Sequence, residues 1–452
     1  MASKGDVDAK EIMPKLYEDW KKVPFEQCLL KKNGTYVKLQ KKEISEKGKF
    51  PVIDQGETFI SGYVDEESLI YSGEIPVVIF GDHTRIIKYV DFPFAVGADG
   101  TKILSPNDAL NSKFFYYFLK SLKIPSFGYS RHYKALRSVS IPLPPLPEQH
   151  RIVAKLDAVL GKVGSARERL ERLPGILQRF RQSVLAQAVS GKLTEGWREE
   201  NAGVESAEEL VARISKSFKT ESVVKSKKEL GADYLQLIEN KPEGWAWVKW
   251  HQVGYCQNGR SFPSTNYTES GIKLLRPGNL HVSGELSWTE SNTKFLPLAF
   301  ENEFPDYVVG ENELLINLTA QSLKDEFLGR VCVSSNGEKC LLNQRIARIH
   351  PVLLDVKFCL ILFKSNLFRR FVDGLNTGTL IQHMFTWQVD QFQFPLPPLP
   401  EQKEIVRRVQ ALFAVADRLE ERYEALREKV EGLPQAVLAK AFRGELVGRE
   451  KE

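Results

Sequence analysis

PLPPLPEQ is written twice in this chain, at Pro142–Gln149 and at Pro395–Gln402, a shift of 253 residues (395 − 142). A second pair of strings keeps the same shift: QSVLAQAVSGKL begins at Gln182 and QAVLAKAFRGEL at Gln435. The segments 142–193 and 395–446 therefore have equal length, without insertion. A duplicated element whose length is preserved is one whose length matters mechanically. It predicts a chain of two look-alike halves with approximate two-fold symmetry, which suits a bipartite target.

After each proline motif the pattern turns heptad. Ile152, Leu156, Val159, Val163, Ala166, Leu170, Leu173, Leu177, Phe180 and Val184 follow alternating steps of four and three. Adding 253 gives Ile405, Val409, Leu412, Ala416, Leu419, Tyr423, Leu426, Val430, Leu433 and Val437, all apolar. Such a seam argues for a coiled-coil pair, with charged flanks such as ARERLER and RLEERYE in solvent. Prolines bias their predecessors away from the helical region, so the helices are expected to start near Glu148 and Glu401. Pro174 and Pro434 predict a kinked or two-piece helix. An antiparallel pairing is favoured, with a globular domain at each end of the rod.

Residues 21–141 and 242–394 read as mixed α/β domains. The first has β-like runs YVKL, EIPVVIF and RIIKYV; the second has ELLINLTA, GRVCVSS and RIARIH. Each continues into an apolar helix, FFYYFLKS (Phe114–Ser121) and FCLILFKS (Phe358–Ser365). Residues 1–20 are expected to form a helical extension, and the charged stretch 194–241 a linker with a short helix near AEELVARI. The expected fold class is thus α+β, two mixed α/β domains joined by two long helices in an antiparallel coiled coil.

Composition sets outer bounds. A chain of 452 residues with a net charge of +5 permits nucleic-acid binding without demanding it. The N-terminus lacks an apolar core segment and no run suits a bilayer, which argues against secretion or membrane insertion. Five cysteines without a regular spacing fit reduced thiols in a cytoplasm better than a disulfide frame or a zinc site.

Two variable domains, each followed by a long helix that opens with LPPLPEQ and closes with VLAQAVSGKL or VLAKAFRGEL, resemble the specificity (S) subunit of type I restriction–modification systems. The resemblance covers nearly the whole chain. It implies that the domains are target recognition domains, each reading one half of a split double-stranded DNA sequence. It also implies that the helices act as a ruler and dock two methyltransferase subunits, with restriction–translocase subunits joining the complex. No cofactor is expected on this chain; S-adenosylmethionine, ATP and magnesium are expected on the partners.

Candidate DNA contacts are polar strings beside expected strands. In the first domain GDHTRIIK supplies His83, Thr84, Arg85 and Lys88, and GYSRHYKALR supplies Tyr129, Ser130, Arg131, His132 and Lys134. These combine base-edge donors with phosphate-binding cations. The duller alternative has Asp82 and His83 bonding each other in a turn, with Arg131 and Lys134 merely solvated. In the second domain the candidates are Lys273, Arg276 and Asn279, then Asn317, Thr319 and Gln321, then Gln344 and Arg345, then Thr379, Gln382 and His383. Asn and Gln suit adenine edges and Arg suits guanine. Asn317 and Thr319 could instead satisfy backbone groups at a strand end. Gln382–His383 precedes the second proline motif much as Arg131–His132 precedes the first. This domain holds 14 Lys/Arg against 15 Asp/Glu, so binding would need a local patch.

No methyl-donor loop with an Asn/Asp-Pro-Pro-aromatic tetrapeptide, no Walker-type loop and no zincin motif is present, which argues for a non-catalytic chain. Two rivals remain at this level: a coiled-coil scaffold with no DNA role, and a self-sufficient DNA modification enzyme.

Overall fold

Each copy of the proline motif is a joint at which a strand becomes a helix. A computed structural model of the chain describes residues 12–31, 33–97, 100–126, 131–218, 230–320, 326–335, 337, 339–375 and 382–448. The chain divides into two compact units, Met1–Arg172 with Arg422–Glu452, and Leu173–Glu421.

The first unit contains β1 (Lys21–Pro24), β2 (Lys38–Leu39), β3 (Phe50–Ile53), β4 (Gly62–Val64), β5 (Val77–Gly81), β6 (Ile87–Val90), β7 (Ala95–Gly97) and β8 (Thr101–Leu104). These are followed by α1 (Ser112–Ser121), α2 (Tyr133–Arg137), β9 (Ser140–Leu143) and the first part of the 44-residue α3 (Leu146–Val189). One sheet has the order β6-β5-β8, antiparallel throughout. The other has the order β2-β7-β3-β4, with β2 and β3 parallel to β7. β1 pairs antiparallel with β9, Lys21 opposite Leu143, so the motif's first prolines are strand residues.

The second unit continues with α4 (Glu195–Glu200), α5 (Ala207–Ser217), β10 (Ala246–Lys249), β11 (Gly254–Asn258), β12 (Ile272–Leu275), β13 (Phe295–Leu296), α6 (Phe300–Glu303), β14 (Val308–Val309) and β15 (Leu314–Asn317). Then come β16 (Thr319–Ala320), β17 (Val331–Val333), β18 (Cys340–Leu342), β19 (Ile346–Pro351), α7 (Val356–Lys364), α8 (Asn366–Gly374), β20 (Gln382–His383), α9 (Thr386–Asp390), β21 (Gln393–Leu396) and α10 (Leu399–Phe442). Its sheets repeat the scheme: β11-β19-β15-β17 antiparallel, and β13-β12-β18-β14 with β12 parallel to β18. β10 pairs with β21 in the register of β1 and β9, Ala246 opposite Leu396. Each of the six β-like runs of the sequence contains a strand, although only Lys38–Leu39 of YVKL is extended and ELLINLTA holds two strands.

The repeated glutamine explains why the motif is repeated. Gln149 is fully buried: its Oε1 accepts from the backbone N–H of Asn111 at 2.7 Å, and its Nε2 donates to the carbonyls of Ala109 and Pro144. Asn111 in turn caps α1, its Oδ1 accepting from the N–H groups of Lys113 and Phe114. In the second unit Gln402 is likewise buried, accepting from the N–H of Asp355 at 2.9 Å and donating to the Pro397 carbonyl. Asp355 caps α7 through Lys357 and Phe358. One side chain thus ties the start of the long helix to the start of the domain's apolar helix.

Both long helices begin two residues before the expected starts, at Leu146 and Leu399, with Pro147 and Pro400 inside the first turn. A first-turn N–H has no intrahelical acceptor, so proline loses nothing there. Neither Pro174 nor Pro434 divides its helix, contrary to a two-piece reading; neither is buried, so the carbonyl each leaves unpaired is not sealed from water. In the first unit Ile152 and Leu156 share a core with Leu438, Ala441 and Phe442, while Arg167 and Leu170 face Tyr423, Arg427 and Val430 across a groove. In the second, Arg181 bonds Asp417 and Glu420, and Arg408 donates to the Leu193 carbonyl. Rising numbers on one helix meet falling numbers on the other, so the pairing is antiparallel in both units. The seam is incompletely covered: Leu419, Leu426 and Leu433 are 41%, 49% and 40% exposed, because two helices can shield only part of each stripe.

Two boundaries differ from expectation. Of the expected helical extension 1–20, residues 1–11 lie outside the described residues, Ile12 is helical, and 13–20 are irregular: Pro14 cannot continue a helix, and Leu16 and Trp20 are buried in the first domain's core. Of the stretch 194–241, the described residues 194–218 and 230–241 pack against the second domain. Ala207, Leu210, Ile214, Tyr234 and Ile238 are core residues there. Glu401, 1% exposed, accepts from Thr194 Oγ1, Arg198 Nη1 and Trp245 Nε1 at 2.6, 2.5 and 2.8 Å.

Removing a clamp should leave buried backbone groups without partners. Gln402→Ala is expected to lower the second unit's stability by about 2–3 kcal/mol, read as an earlier thermal or denaturant transition.

Candidate nucleic-acid interface

In each domain the candidate residues gather where central strands end. In the first, β5 ends at Gly81 opposite Thr101, where β8 begins, and β3 runs parallel to β7 beside them. Gly81 is required there: a Cβ would lie 2.1 Å from Thr84 Oγ1. The turn after it is tied to Gln55, whose Oε1 accepts from the His83 N–H at 3.1 Å and whose carbonyl accepts from Thr84 Oγ1 at 2.6 Å. Arg85 adopts a left-handed φ of 63° and donates from Nη1 to the Ile124 carbonyl at 2.9 Å.

The two sequence clusters of this domain meet. The Asp82 carbonyl accepts from the His132 N–H at 2.8 Å, and Asp82 Oδ1 accepts from the Tyr133 N–H at 2.8 Å. Asp82 thus anchors the second cluster instead of His83. His83, Thr84, Arg85, Arg131 and Lys134 are exposed along this edge. His132 is not: it is fully buried, with Nδ1 2.9 Å from the Asp82 carbonyl. Lys88 is also inside, 4% exposed, donating to the carbonyls of Thr58 and Phe59 and lying 3.6 Å from Asp54. Burial pushes its pKa down. Tyr129 and Ser130 lie outside the described residues.

The second domain builds the same kind of edge. Asn317 ends β15 opposite Ile346, where β19 begins, and Asn258 ends β11 opposite Ala347. The parallel strands β12 and β18 end together at Leu275 and Leu342, which sets Arg276 beside the turn Asn343–Arg345. Thr319 pairs with His383 and Ala320 with Gln382, so the segment before α9 joins the chain after β15, as His132 joins Asp82. Gln344, Arg345 and His383 are exposed, and Arg276, Thr319 and Gln382 half-buried. Asn317 is fully buried, with Nδ2 donating to the carbonyls of Thr319 and Phe327; the strand-end role describes it. Asn279 is fully buried too, accepting from the Arg276 N–H and donating to Ser287. Lys273 lies within β12, its ammonium 4.7 Å from the Trp288 ring. Gln321 and Thr379 lie outside the described residues.

Gln55, Asn258 and Arg260 were missed from sequence. The signal was available for the last two: QNGR (Gln257–Arg260) shares Gln, Asn and Arg with LNQR (Leu342–Arg345). Gln257 is held by Arg348 Nη1 at 3.2 Å and itself donates to the Asp306 carbonyl. Beside it His350 stacks on Tyr255 with ring centroids 4.5 Å apart, and burial with the Arg348 charge lowers its pKa to about 4. Among the described residues no cluster of three His, Cys, Asp or Glu is arranged to hold a metal ion, and no helix is long and apolar enough to cross a membrane. The five cysteines are free thiols.

A family model described as "Type I restriction modification DNA specificity domain" matches residues 17–174 and 242–428. The chain is 29% identical over 445 residues to the EcoKI specificity subunit of Escherichia coli K12, covering 94% of this chain and 85% of that one. It is 27% identical to the EcoDI specificity subunit of Escherichia coli, covering 96% and 90%. Among solved structures it is similar to the HsdS subunit of Thermoanaerobacter tengcongensis, with TM-score 0.56, 18% identity, and 95% and 98% coverage. A chain from a study of complex assembly and conformational transition in the type I R-M system gives TM-score 0.60 at 17% identity, with 95% and 99% coverage.

Two measurements check these placements. Lys88→Ala should lower stability by about 2–4 kcal/mol in denaturant, whereas Arg131→Ala should stay within about 0.5 kcal/mol of the parent. Asp390, closing α9, is buried with Oδ1 unpartnered among the described residues, and desolvation raises its pKa to about 6. A carboxyl raised above its unfolded value binds its proton more tightly when folded, so its contribution grows as pH falls from about 6 toward 4. Asp390→Asn should raise stability at pH 7.5 by about 1–3 kcal/mol and remove that gain on acidification.

Proposed function

This chain belongs to the type I restriction–modification DNA specificity family, a specificity subunit with two target recognition domains, and from that premise we propose how it reads DNA. Each domain presents its strand-end edge to one half of a split duplex target. In the first domain His83, Thr84, Arg85, Arg131 and Lys134 make the contacts. In the second, Arg276, Thr319, Gln344, Arg345, Gln382 and His383 do so. Tyr129, Ser130, Gln321 and Thr379 belong to the same segments and complete the two sets. The buried Lys88, His132, Asn279 and Asn317 hold those segments in shape, and Lys273 stands back from the edge within its strand.

The observation that carries this reading is the meeting, in each domain, of two sequence-distant polar segments on one exposed strand-end edge. Exposed Arg, Gln, His and Thr there offer base-edge donors and acceptors together with phosphate-binding charge. The gap-free duplication of a 44-residue helix supports a fixed separation between the half-sites. The chain itself is non-catalytic. Methyltransferase subunits, two per chain, and restriction–translocase subunits supply the chemistry, with S-adenosylmethionine, ATP and magnesium bound by them. The complex acts in the cytoplasm.

Binding to duplexes that carry both half-sites tests this. Two linked contacts strengthen each other only when both can be made at once, so inserting or deleting a few base pairs in the spacer should weaken binding about 10–100-fold. Affinity should also fall steeply with salt. Indifference to the spacer would remove the ruler. Salt-independent or absent DNA binding, with retained binding to a protein partner, would favour a scaffold. Methyl transfer by the purified chain alone would make it an enzyme.

A further inference from the structure

We propose that Arg260 is a specificity-determining residue of the second domain, one that reads a guanine in its half-site. This rests on the DNA-reading function proposed above and deepens it. Three of that domain's seven arginines are internally committed: Arg348 lies 2.7 Å from Glu313, Arg369 2.9 Å from Asp373, and Arg330 donates to the Leu280 carbonyl. Arg260 is exposed, and its guanidinium has no carboxylate partner among the described residues. It is held by stacking, with the guanidinium carbon 4.3 Å from the Phe304 ring centroid and 5.9 Å from that of Tyr307. Stacking on an aromatic face removes rotamer freedom while leaving the in-plane N–H fork open for a planar acceptor pair.

The backbone under it is equally fixed. The Arg260 N–H donates to the Leu342 carbonyl at 2.9 Å, and the Arg260 carbonyl accepts from the Gln344 N–H at 2.9 Å. The two turns approach so closely that a Cβ at Gly259 would lie 2.2 Å from the Asn343 carbonyl oxygen, so only glycine fits. Asn258, one residue earlier, donates to Thr386 Oγ1 at 3.3 Å, tying the same turn to α9. Arg260 and Gln344 thus stand side by side on one rigid platform. A guanidinium held over an aromatic ring on a fixed backbone suits the paired O6 and N7 acceptors of guanine, which need two N–H groups at a set spacing. A phosphate contact would not require that orientation.

Selection of bound duplexes from a randomised library, with the full chain and its Arg260→Ala, Arg260→Lys and Phe304→Leu variants, decides the matter. The parent should select a guanine at a position that becomes unspecified in Arg260→Ala, with discrimination falling about ten- to hundredfold and the other half-site unchanged. Arg260→Lys should keep more affinity than discrimination, because an ammonium cannot pair both acceptors in plane. Phe304→Leu should weaken preference at that same position only. Uniform loss of affinity on all sequences, or an unchanged selected sequence, would overturn the assignment to Arg260 while leaving the wider reading intact. A parent chain that selects no sequence would overturn both.

Discussion

The arrangement depends on one buried amide in each half. Gln149 and Gln402 each bridge the first turn of a long helix to the cap of the helix that packs beneath the domain's sheet. A glutamine side chain offers an acceptor and donors, and here they satisfy groups on both elements. An apolar residue would leave those groups buried and unpaired, and a charged one would carry a desolvation cost. Because the same bond occurs in both halves, each domain is fixed to its helix by the same joint, and the position of a reading edge follows from it. A duplicated helix would be of little use as a spacer if its domain could swivel at the hinge.

Charge and burial divide the labour in the second domain. It is almost neutral overall, so a broad electrostatic field cannot carry binding. Its interior arginines hold strands together: Arg348 secures Gln257 and Glu313 under the edge. Those left exposed at the strand ends, Arg260 and Arg345, stand where Gln344 and His383 are also exposed. A local patch of this kind relies on geometry more than on total charge. The first domain shows the same economy, its Lys88 inside the sheet and its Arg131 and Lys134 outside.

Much of the fold was legible because period and length are one-dimensional properties. The heptad, the constant offset and the β-like runs all survive as elements, and the domain helices sit where the apolar strings lie. What sequence did not disclose was which polar residues the fold would use internally. Lys88, His132, Asn279 and Asn317 look like DNA contacts in a string, but each is buried against backbone groups that only the folded chain brings near. Conversely, Gln55 acquires interest only once its side chain and carbonyl are seen holding the turn at His83 and Thr84. Pro14 and the first-turn prolines Pro147 and Pro400 show that local rules mark breaks well but place helix starts only to within a turn.

The central claim is that one chain specifies two separate blocks of DNA at a set distance. Methylation-sensitive sequencing of DNA from cells that make this chain with its modification partners tests it most directly. The modified motif should consist of two short defined blocks flanking an unspecified spacer of constant length. A single uninterrupted motif, or two blocks at variable spacing, would contradict it.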